Sequence, residues 1–266
     1  MTHLSLCSGI GGLDLAIGTP TTFAENDPAP SEVLAHHFPN VPNIGDWTRL
    51  DNFNGYDLIS GGLPCQPLSG AGKGKGDADE RYLFDDFIRI LRSSDVRPTI
   101  VFENVRGILY PRNAKAFWRL ISALADLGYV GQWEVVRASD IGAPHRRERW
   151  FCVARSSDAR HANGERAHRA GSRSAGRGEP EDAGGSAAAA TLRQSKYGPA
   201  VRRWELLTRP CPPPLDDRGR LDVEFVTWMM GYPEGYVSML PRTKALKALG
   251  NAVVPQQARL ALDILT

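Results

Sequence analysis

The chain has 266 residues, 42% hydrophobic and 23% charged, enough to bury one large domain or a large domain carrying a small insert. Its 32 Lys and Arg against 30 Asp and Glu leave a formal net charge of +2, so it is no uniformly basic coating protein, and any polyanion partner has to be met by a local patch. The composition excludes collagen-like, coiled-coil and wholly disordered classes, and the absence of an apolar run of about 18 residues excludes a membrane-spanning segment.

MTHLSLCSGIGG opens the chain without a basic stretch followed by an apolar one, so no secretory signal is expected. HLSLC (3–7) reads as a buried strand, followed by the glycine-rich turn SGIGG. TTFAE (21–25) reads as a second strand, and PAPSEVLAHHF as a helix with Pro and Ser start signals. DLISGG (57–62) and TIVFEN (99–104) are further strands. Between them RYLFDDFIRILRSS places apolar residues at 83, 84, 87, 88, 90 and 91, a helical pattern. AFWRLISALADLGY repeats that pattern and stops at Gly128, and QWEVVRAS and RWFCVA complete the series as strands. This alternation predicts an α/β domain with a largely parallel, doubly wound sheet, whose ligands bind beyond the carboxyl ends of the strands.

After Ala154 the character changes. Residues 155–198 are rich in Arg, Gly, Ala and Ser, with little periodicity, and read as a loop-rich insert that stays mobile over 160–190. Residues 155–220 hold 13 Lys and Arg and 8 Asp and Glu, against 19 and 22 in the rest of the chain. A nucleic-acid patch is one reading of that charge, and a solvated linker is the other. RPCPPPL (209–215) is a proline-rich spacer, after which LDVEFVTWMMG, RTKALKALG and PQQARLALDIL return to helix. The four cysteines are scattered with no CxxC pair, so neither a metal site nor a disulfide framework is expected, and a reducing, intracellular setting is the simplest reading.

Five short motifs carry chemistry. The SGIGG turn lets backbone amides approach a nucleotide-like ligand, and Glu25 and Asp46 sit where acidic residues hold such ligands; together they point to an adenosine-containing cofactor without saying which. In GGLPCQPLS (61–69), Cys65 follows a strand end between Pro64 and Gln66, which suits a presented thiolate, whereas a lone cysteine is ordinarily a buried hydrophobe. The loop SGAGKGKGDADER beside it either closes over a polyanion or is a plain surface loop. Glu103 closes an apolar strand, where partial burial raises its pKa and lets it give a proton; a helix cap or ion pair is the plain alternative. In APHRRERWFCVA (143–154) an extended backbone puts His145, Arg147 and Arg149 on one face, suited to phosphate or base-oxygen contacts or, alternatively, capping an edge strand. In LGNAVVPQQA (249–258), Gly250 and Asn251 form a turn and Pro255 opens the final helix.

The order and spacing of LCSGIGGLDLA, Glu25, GD at 45–46, GGLPCQPLSGAGKGKG, DER-LF, FENV, PHRRER and LGNAVVP resemble the DNA cytosine-5 methyltransferase family, over residues 3–154 and 223–258. WMMGYPEG looks like the segment before the last motif in short bacterial and phage-encoded members. The resemblance implies a Rossmann-like, S-adenosylmethionine-dependent methyltransferase domain from residues 1–154 plus 223–266, with 155–222 as a small target-recognition insert and the closing helix packed back on the cofactor domain. It implies that Cys65 attacks carbon 6 of a flipped-out cytosine, Glu103 engages ring nitrogen 3, and Arg147 and Arg149 steady the base and lower the thiol pKa. The cofactor S-adenosyl-L-methionine is expected on Cys7, Ser8, Gly9, Ile10 and Gly12, with Glu25 on the ribose, Asp46 on the adenine, and Pro64, Leu83, Asn251 and Val253 lining the same pocket. No metal is expected. The implied partner is double-stranded DNA, met by a monomer in the cytoplasm of a prokaryotic or phage-infected cell, with a cognate restriction endonuclease as a functional partner outside any complex.

This chain departs from the family pattern in four places. Cys7 stands for the usual Phe and His145 for the usual Gln; the glycine after the DER-type arginine is absent; and the insert is short. Rival readings are an RNA cytosine-5 methyltransferase, a catalytically decayed DNA binder and, more distantly, a nicotinamide dehydrogenase, which needs no PCQ motif.

Overall fold

A computed structural model describes residues 1–63, 83–157 and 187–266. Pro64, Cys65, the glycine-rich run that follows them and most of the 160–190 stretch lie outside the described residues. Strands β1 (His3–Leu6), β2 (Thr22–Ala24), β3 (Leu58–Gly61), β4 (Thr99–Val105), β5 (Tyr129–Arg137) and β6 (Glu148–Ser156) form one sheet in the order β2-β1-β3-β4-β6-β5. The first four pair in parallel, and every residue of β1, β2 and β3 is buried, as expected where helices cover both faces. The sheet is mixed, because β6 runs antiparallel to β4 and to β5. Residues 138–147 join β5 to β6, too short a path for a parallel crossover.

The helices are α1 (Gly12–Ile17), α2 (Pro28–His37), α3 (Leu83–Arg92), α4 (Ala114–Asp126), α5 (Ala187–Gln194), α6 (Gly198–Leu207), α7 (Val223–Met229), α8 (Arg242–Asn251) and α9 (Pro255–Leu265). α3 buries Phe84, Phe87, Ile88 and Leu91, the i, i+3, i+4, i+7 stripe of an amphipathic helix. With Phe117, Leu120 and Leu124 of α4 this stripe covers Leu4, Leu6, Ile59 and Phe102 on one face of the sheet. Phe87 is fully buried, worth roughly 2–3 kcal/mol in transfer free energy. On the other face Leu13 and Ala16 of α1 meet Ala258, Ala261 and Leu265 of α9 over Val101, Phe151 and Val153. The final helix thus packs against α1, β5 and β6, joining the two ends of the chain. A third cluster packs Val201 and Trp204 of α6 and Cys211 with Phe225, Trp228, Tyr232 and Tyr236, and reaches Ile10 and Val33. The indoles of Trp204 and Trp228 donate to the carbonyls of Trp228 and Arg209, at 2.8 and 2.9 Å, so neither ring nitrogen is left bare.

Three local expectations are corrected. Gly250 and Asn251 do not form a turn but end α8, because the Ala252 amide bonds to the Ala248 carbonyl and carries the helix through. The extended stretch begins only at Glu148, so His145 and Arg147 precede the strand, and β6 lies inside the sheet, which removes the edge-strand alternative. The strand expected over 132–139 runs instead from Tyr129 to Arg137. Gly128 at φ +78° ends the preceding turn and lets the strand start at once. No helix among the described residues is long and apolar enough to cross a membrane.

Candidate functional site

The carboxyl ends of β1, β2, β3 and β4 open onto a cavity of about 560 Å³, within the usual range for a small-molecule site. Its walls include Cys7, Ser8, Gly9, Ile10 and Gly12 of the first turn, Glu25 past β2, Glu103 of β4, and Asn251 and Val253 at the end of the chain. Gly9 and Gly11 adopt φ +57° and +80°, and a β-carbon at Gly9 would meet nothing within 4 Å, so the turn presents bare backbone to the cavity. Glu25 locks the turn to β2. One carboxylate oxygen accepts from the Gly9 amide and the other from the Asp27 amide, both at 2.8 Å.

Expected pocket residues divide here. Asp46 is not among the cavity walls: its carboxylate caps a 3-10 turn through Thr48 (N at 3.1 Å, Oγ1 at 2.6 Å), and these bonds hold its pKa below the ordinary carboxylate value. Leu83 starts α3 against the sheet core and is not among the walls either. The cavity adds residues that the motifs did not single out: Asn26, Asp27 and Pro28 after β2, and Lys244 and Lys247 of α8. Asp27 caps α2 and receives Lys247 Nζ at 3.2 Å, pairing the two walls. The helical spacing of Lys244, Lys247 and Asn251 was the available signal, since residues three and four apart share a helix face.

Cys7 is a partly buried residue of this floor. Burial pushes its thiol up to about 12, the Glu25 and Asp46 charges add to this, and a 3.4 Å contact from Trp47 Nε1 only partly offsets it. Burial also pushes Cys152 up to about 12 and Cys211 to about 11, so all three thiols stay protonated at neutral pH.

At the far end of the cavity sits a buried ion pair. The β4–β6 register sets Arg149 opposite Val105, hence on the Glu103 face, and Arg149 Nε meets Glu103 Oε1 at 2.7 Å. Both side chains are nearly enclosed, at 13% and 9% exposure. Burial raises the Glu103 pKa, and the charges of Arg149 and Arg147 restrain the rise. A β-carbon on Gly62 would stand 3.1 Å from Glu103 Oε2, so this glycine makes room for the carboxyl group. Asn104, passed over in the FENV motif, turns its amide to the Leu63 carbonyl at 2.9 Å.

Arg147 does different work. It donates to the carbonyls of Gly250 and Ala252 at 2.8 and 2.5 Å, capping the end of α8. Burial lowers its pKa to about 10, which still leaves it charged at neutral pH. Its Nε is buried without a hydrogen-bond partner among the described residues. His145 Nδ1 faces the Arg147 amide at 3.4 Å, so Nε2 carries the proton and donates to the Met229 carbonyl at 2.9 Å. Two tyrosines tie the cavity walls together. Tyr232 Oη donates to the Val253 carbonyl at 2.8 Å and Tyr236 Oη to the Ile10 carbonyl at 2.9 Å.

Residues 1–173 match the family model for C-5 cytosine-specific DNA methylases. A Type II methyltransferase of Neisseria gonorrhoeae, M.NgoMIV, is 36% identical over 160 residues, covering 58% of this chain and 51% of that protein. M2.BsuMI of Bacillus subtilis is 34% identical over 162 residues, covering 58% and 42%. The chain therefore spans about half, or less, of the length of these relatives. Among solved structures, a putative DNA modification methyltransferase from an E. coli prophage superposes with a TM-score of 0.65 at 19% identity, covering 98% of this chain and 97% of that one. A Spodoptera frugiperda DNMT2 mutant gives 0.63 at 19% identity, covering 99% of each chain. These likenesses show the same α/β fold. The family match, which spans more than half of the sequence, establishes that this chain belongs to the C-5 cytosine-specific DNA methylases.

Proposed function

We propose that this protein transfers a methyl group from S-adenosylmethionine to carbon 5 of a cytosine flipped out of a specific duplex DNA sequence. The observation that carries this reading is the buried Glu103–Arg149 pair at the wall of a cavity built from the glycine turn, Glu25 and Asn251. The cavity suits the cofactor by its donor set. It offers carboxylates (Glu25, Asp27), ammonium groups (Lys244, Lys247) and open backbone at Gly9 to a ligand that carries hydroxyls, an amine and a carboxylate. Bound there, S-adenosylmethionine supplies an electrophilic methyl group.

The remaining chemistry belongs to the chain and the base. Cys65 thiolate forms a bond to carbon 6, and the electron pair displaced from the ring is drawn toward nitrogen 3, which takes a proton from Glu103. Carbon 5 becomes nucleophilic and takes the methyl group. Loss of the carbon 5 proton to a base then restores the double bond and expels Cys65. Burial raises the Glu103 pKa above the ordinary carboxylate value, the direction that favours a proton donor. Arg149 orients Glu103, and Arg147 holds the end of α8 with Asn251 and the start of the loop that carries Val253. In this reading residues 1–154 and 223–266 form the catalytic and cofactor-binding part, and 155–222 read the target. The enzyme works as a monomer in a prokaryotic or phage-infected cytoplasm, with any cognate endonuclease acting on the same DNA and not in complex.

Trapping on DNA that contains 5-fluorocytosine, with S-adenosylmethionine present, tests the reading. Fluorine at carbon 5 blocks the last elimination, so a stable adduct mapping to Cys65 is expected, and sequencing the trapped DNA gives the target. Cofactor binding without any adduct on varied genomic DNA overturns it, and the same trap on 5-fluorocytosine RNA then separates an RNA enzyme from an inactive binder. Cys65→Ser should abolish transfer and leave cofactor binding intact.

A further inference from the structure

A second cavity, of about 1050 Å³, lies between α3 and α4, on the sheet face away from α1 and α9. Arg89, Arg92, Arg112, Lys115 and Arg119 line it. Two carboxylates, Asp85 and Asp126, oppose them. Outside residues 155–220 the chain holds 19 basic and 22 acidic residues, so this is a local segregation of charge against a slightly acidic background. The cations fall into two kinds. Arg119 is pinned to Asp85 at 2.9 Å, and Arg89 to the Thr48 carbonyl at 2.7 Å and to Asp86 at 3.4 Å. Arg92 and Lys115 have no carboxylate within ion-pair distance among the described residues, and Arg112 lies over the Tyr110 ring at 5.4 Å.

We propose that this groove is a second nucleic-acid contact, which holds the phosphate backbone of duplex DNA outside the site of methyl transfer. The choice of DNA rests on the function proposed above; the groove itself rests on its own charge and shape. Length selects a polyanion over a single phosphate. The ten residues of α3 make a wall of roughly 15 Å, about four base-pair steps, with Arg92 near one end and Arg112 and Lys115 near the other. Position selects the flanks of a bound duplex. α4 follows β4 through two short 3-10 turns, so the Arg112 and Lys115 end opens at the same sheet edge as Glu103. Arginine and lysine in this setting bind backbone and read no sequence, so the contact adds affinity and not specificity.

The test compares the full chain with Arg92→Glu/Lys115→Glu, and with Arg92→Gln/Lys115→Gln as the milder pair. Binding of fluorescein-labelled random duplexes of about 12 and about 40 base pairs is followed across KCl concentrations. The wild type should show a steeper salt dependence on the long duplex. Either double variant should lose about 1.8 of that slope, roughly 0.9 per phosphate contact. The Glu pair should weaken long-duplex binding at least about tenfold at low salt, with melting temperature and cofactor affinity unchanged. Equal slopes for wild type and variants overturn the groove, as does a wild type that binds neither duplex. A structured RNA that loses binding in the variants while duplex DNA does not also overturns it. Loss of slope in a protein that forms no 5-fluorocytosine adduct would uphold the groove and sink the methyl-transfer reading, so the two fail separately.

Discussion

Asn104 Nδ2 donates a 2.9 Å hydrogen bond to the carbonyl oxygen of Leu63. The backbone register of β3 and β4 ends at Gly61 opposite Phe102, and two residues further along each strand Asn104 stands level with Leu63. A side chain thus continues the ladder where the backbone leaves it, and it fixes the chain two residues before Cys65. Asn104→Ala leaves a carbonyl without its donor, a loss of about 1–3 kcal/mol. If Cys65 is the nucleophile, the cost falls on its placement: kcat should drop roughly 10–100-fold while cofactor affinity holds. Asn104→Asp, which keeps the acceptor for the Val105 amide at 2.8 Å but loses the donor, should be no better. Single-turnover methyl transfer alongside cofactor titration checks this; an unchanged rate would separate Asn104 from the chemistry.

The Glu103 carboxyl should set the alkaline limb of the pH–rate profile, because its protonated form is the useful one. Burial raises its pKa, and the charge of Arg149 restrains the rise. Removing that charge in Arg149→Gln lets the pKa climb, so the alkaline limb should move to higher pH even as the maximal rate falls. Glu103→Gln cannot give up a proton in this way and should lose about 10²–10⁴-fold in rate. Gly62→Ala, whose added methyl stands 3.1 Å from Glu103 Oε2, should lower the rate with little change in cofactor affinity. If the acid limb moves to higher pH instead, with the alkaline limb unmoved, the ionised carboxylate is the working form.

Most of the sheet was legible because its strands are short, buried, mostly apolar runs that end in or lead into glycine or polar residues, as HLSL, LISG and TIVFENV do. The Gly9 turn, Glu25 and Glu103 were legible by position at strand ends and Asn251 through the family resemblance alone, since its local pattern reads as a turn; all four line one cavity. Long-range partners were not legible. Nothing in the local pattern of PHRRER says that Arg147 will cap a helix 103 residues away, and its motif partner Arg149 goes to Glu103 instead. Asp46 was expected in the pocket from its position and from the resemblance of GD at 45–46; its bonds from the Thr48 amide and hydroxyl, common for short acidic side chains in turns, were not part of that reading. The α8 lysines gave only a helical repeat, which becomes a wall of the cavity once the end of the chain folds back onto its beginning.

Asp14 predicts a pH-dependent stability. It lies on α1, fully buried, and neither carboxylate oxygen has a hydrogen bond of good geometry. Burial lifts its pKa from 3.8 to about 7, and the nearby Ser5 hydroxyl offsets only part of this. The folded state therefore holds a proton that the unfolded chain has released between about pH 4 and pH 7, so folding stability falls as pH rises through that window. The full penalty, up to ~4 kcal/mol, is in place above pH 7 and absent below pH 4. Asp14→Asn stays neutral throughout. Urea unfolding should show the variant gaining on the wild type from pH 4 to pH 7 and the difference levelling off beyond it. A difference independent of pH would mean that the carboxyl group is already ionised and partnered in the folded state.

Tyr232 provides the test of how the cavity is held open. Its hydroxyl donates to the Val253 carbonyl at 2.8 Å and sits where a side chain on Gly12 would have to go, so it keys the last loop of the chain to the first turn. Tyr236 makes the parallel link to Ile10 at 2.9 Å, and the two rings lie 4.7 Å apart. Tyr232→Phe removes one hydrogen bond and leaves the ring packed, at a cost of about 0.5–1.5 kcal/mol. That cost should appear as a roughly 2–10-fold weaker cofactor affinity, with kcat at saturating cofactor nearly unchanged, because the tyrosine touches the wall and not the reacting atoms. Tyr236→Phe should behave alike. Because both bonds start from one segment with adjoining rings, Tyr232 reaching the last loop and Tyr236 the first turn, the double variant should lose more affinity than the product of the single losses. Calorimetric titration with S-adenosylhomocysteine measures all three. Losses that simply multiply would mean that each tyrosine holds its own loop, and that the cavity is not braced as one unit.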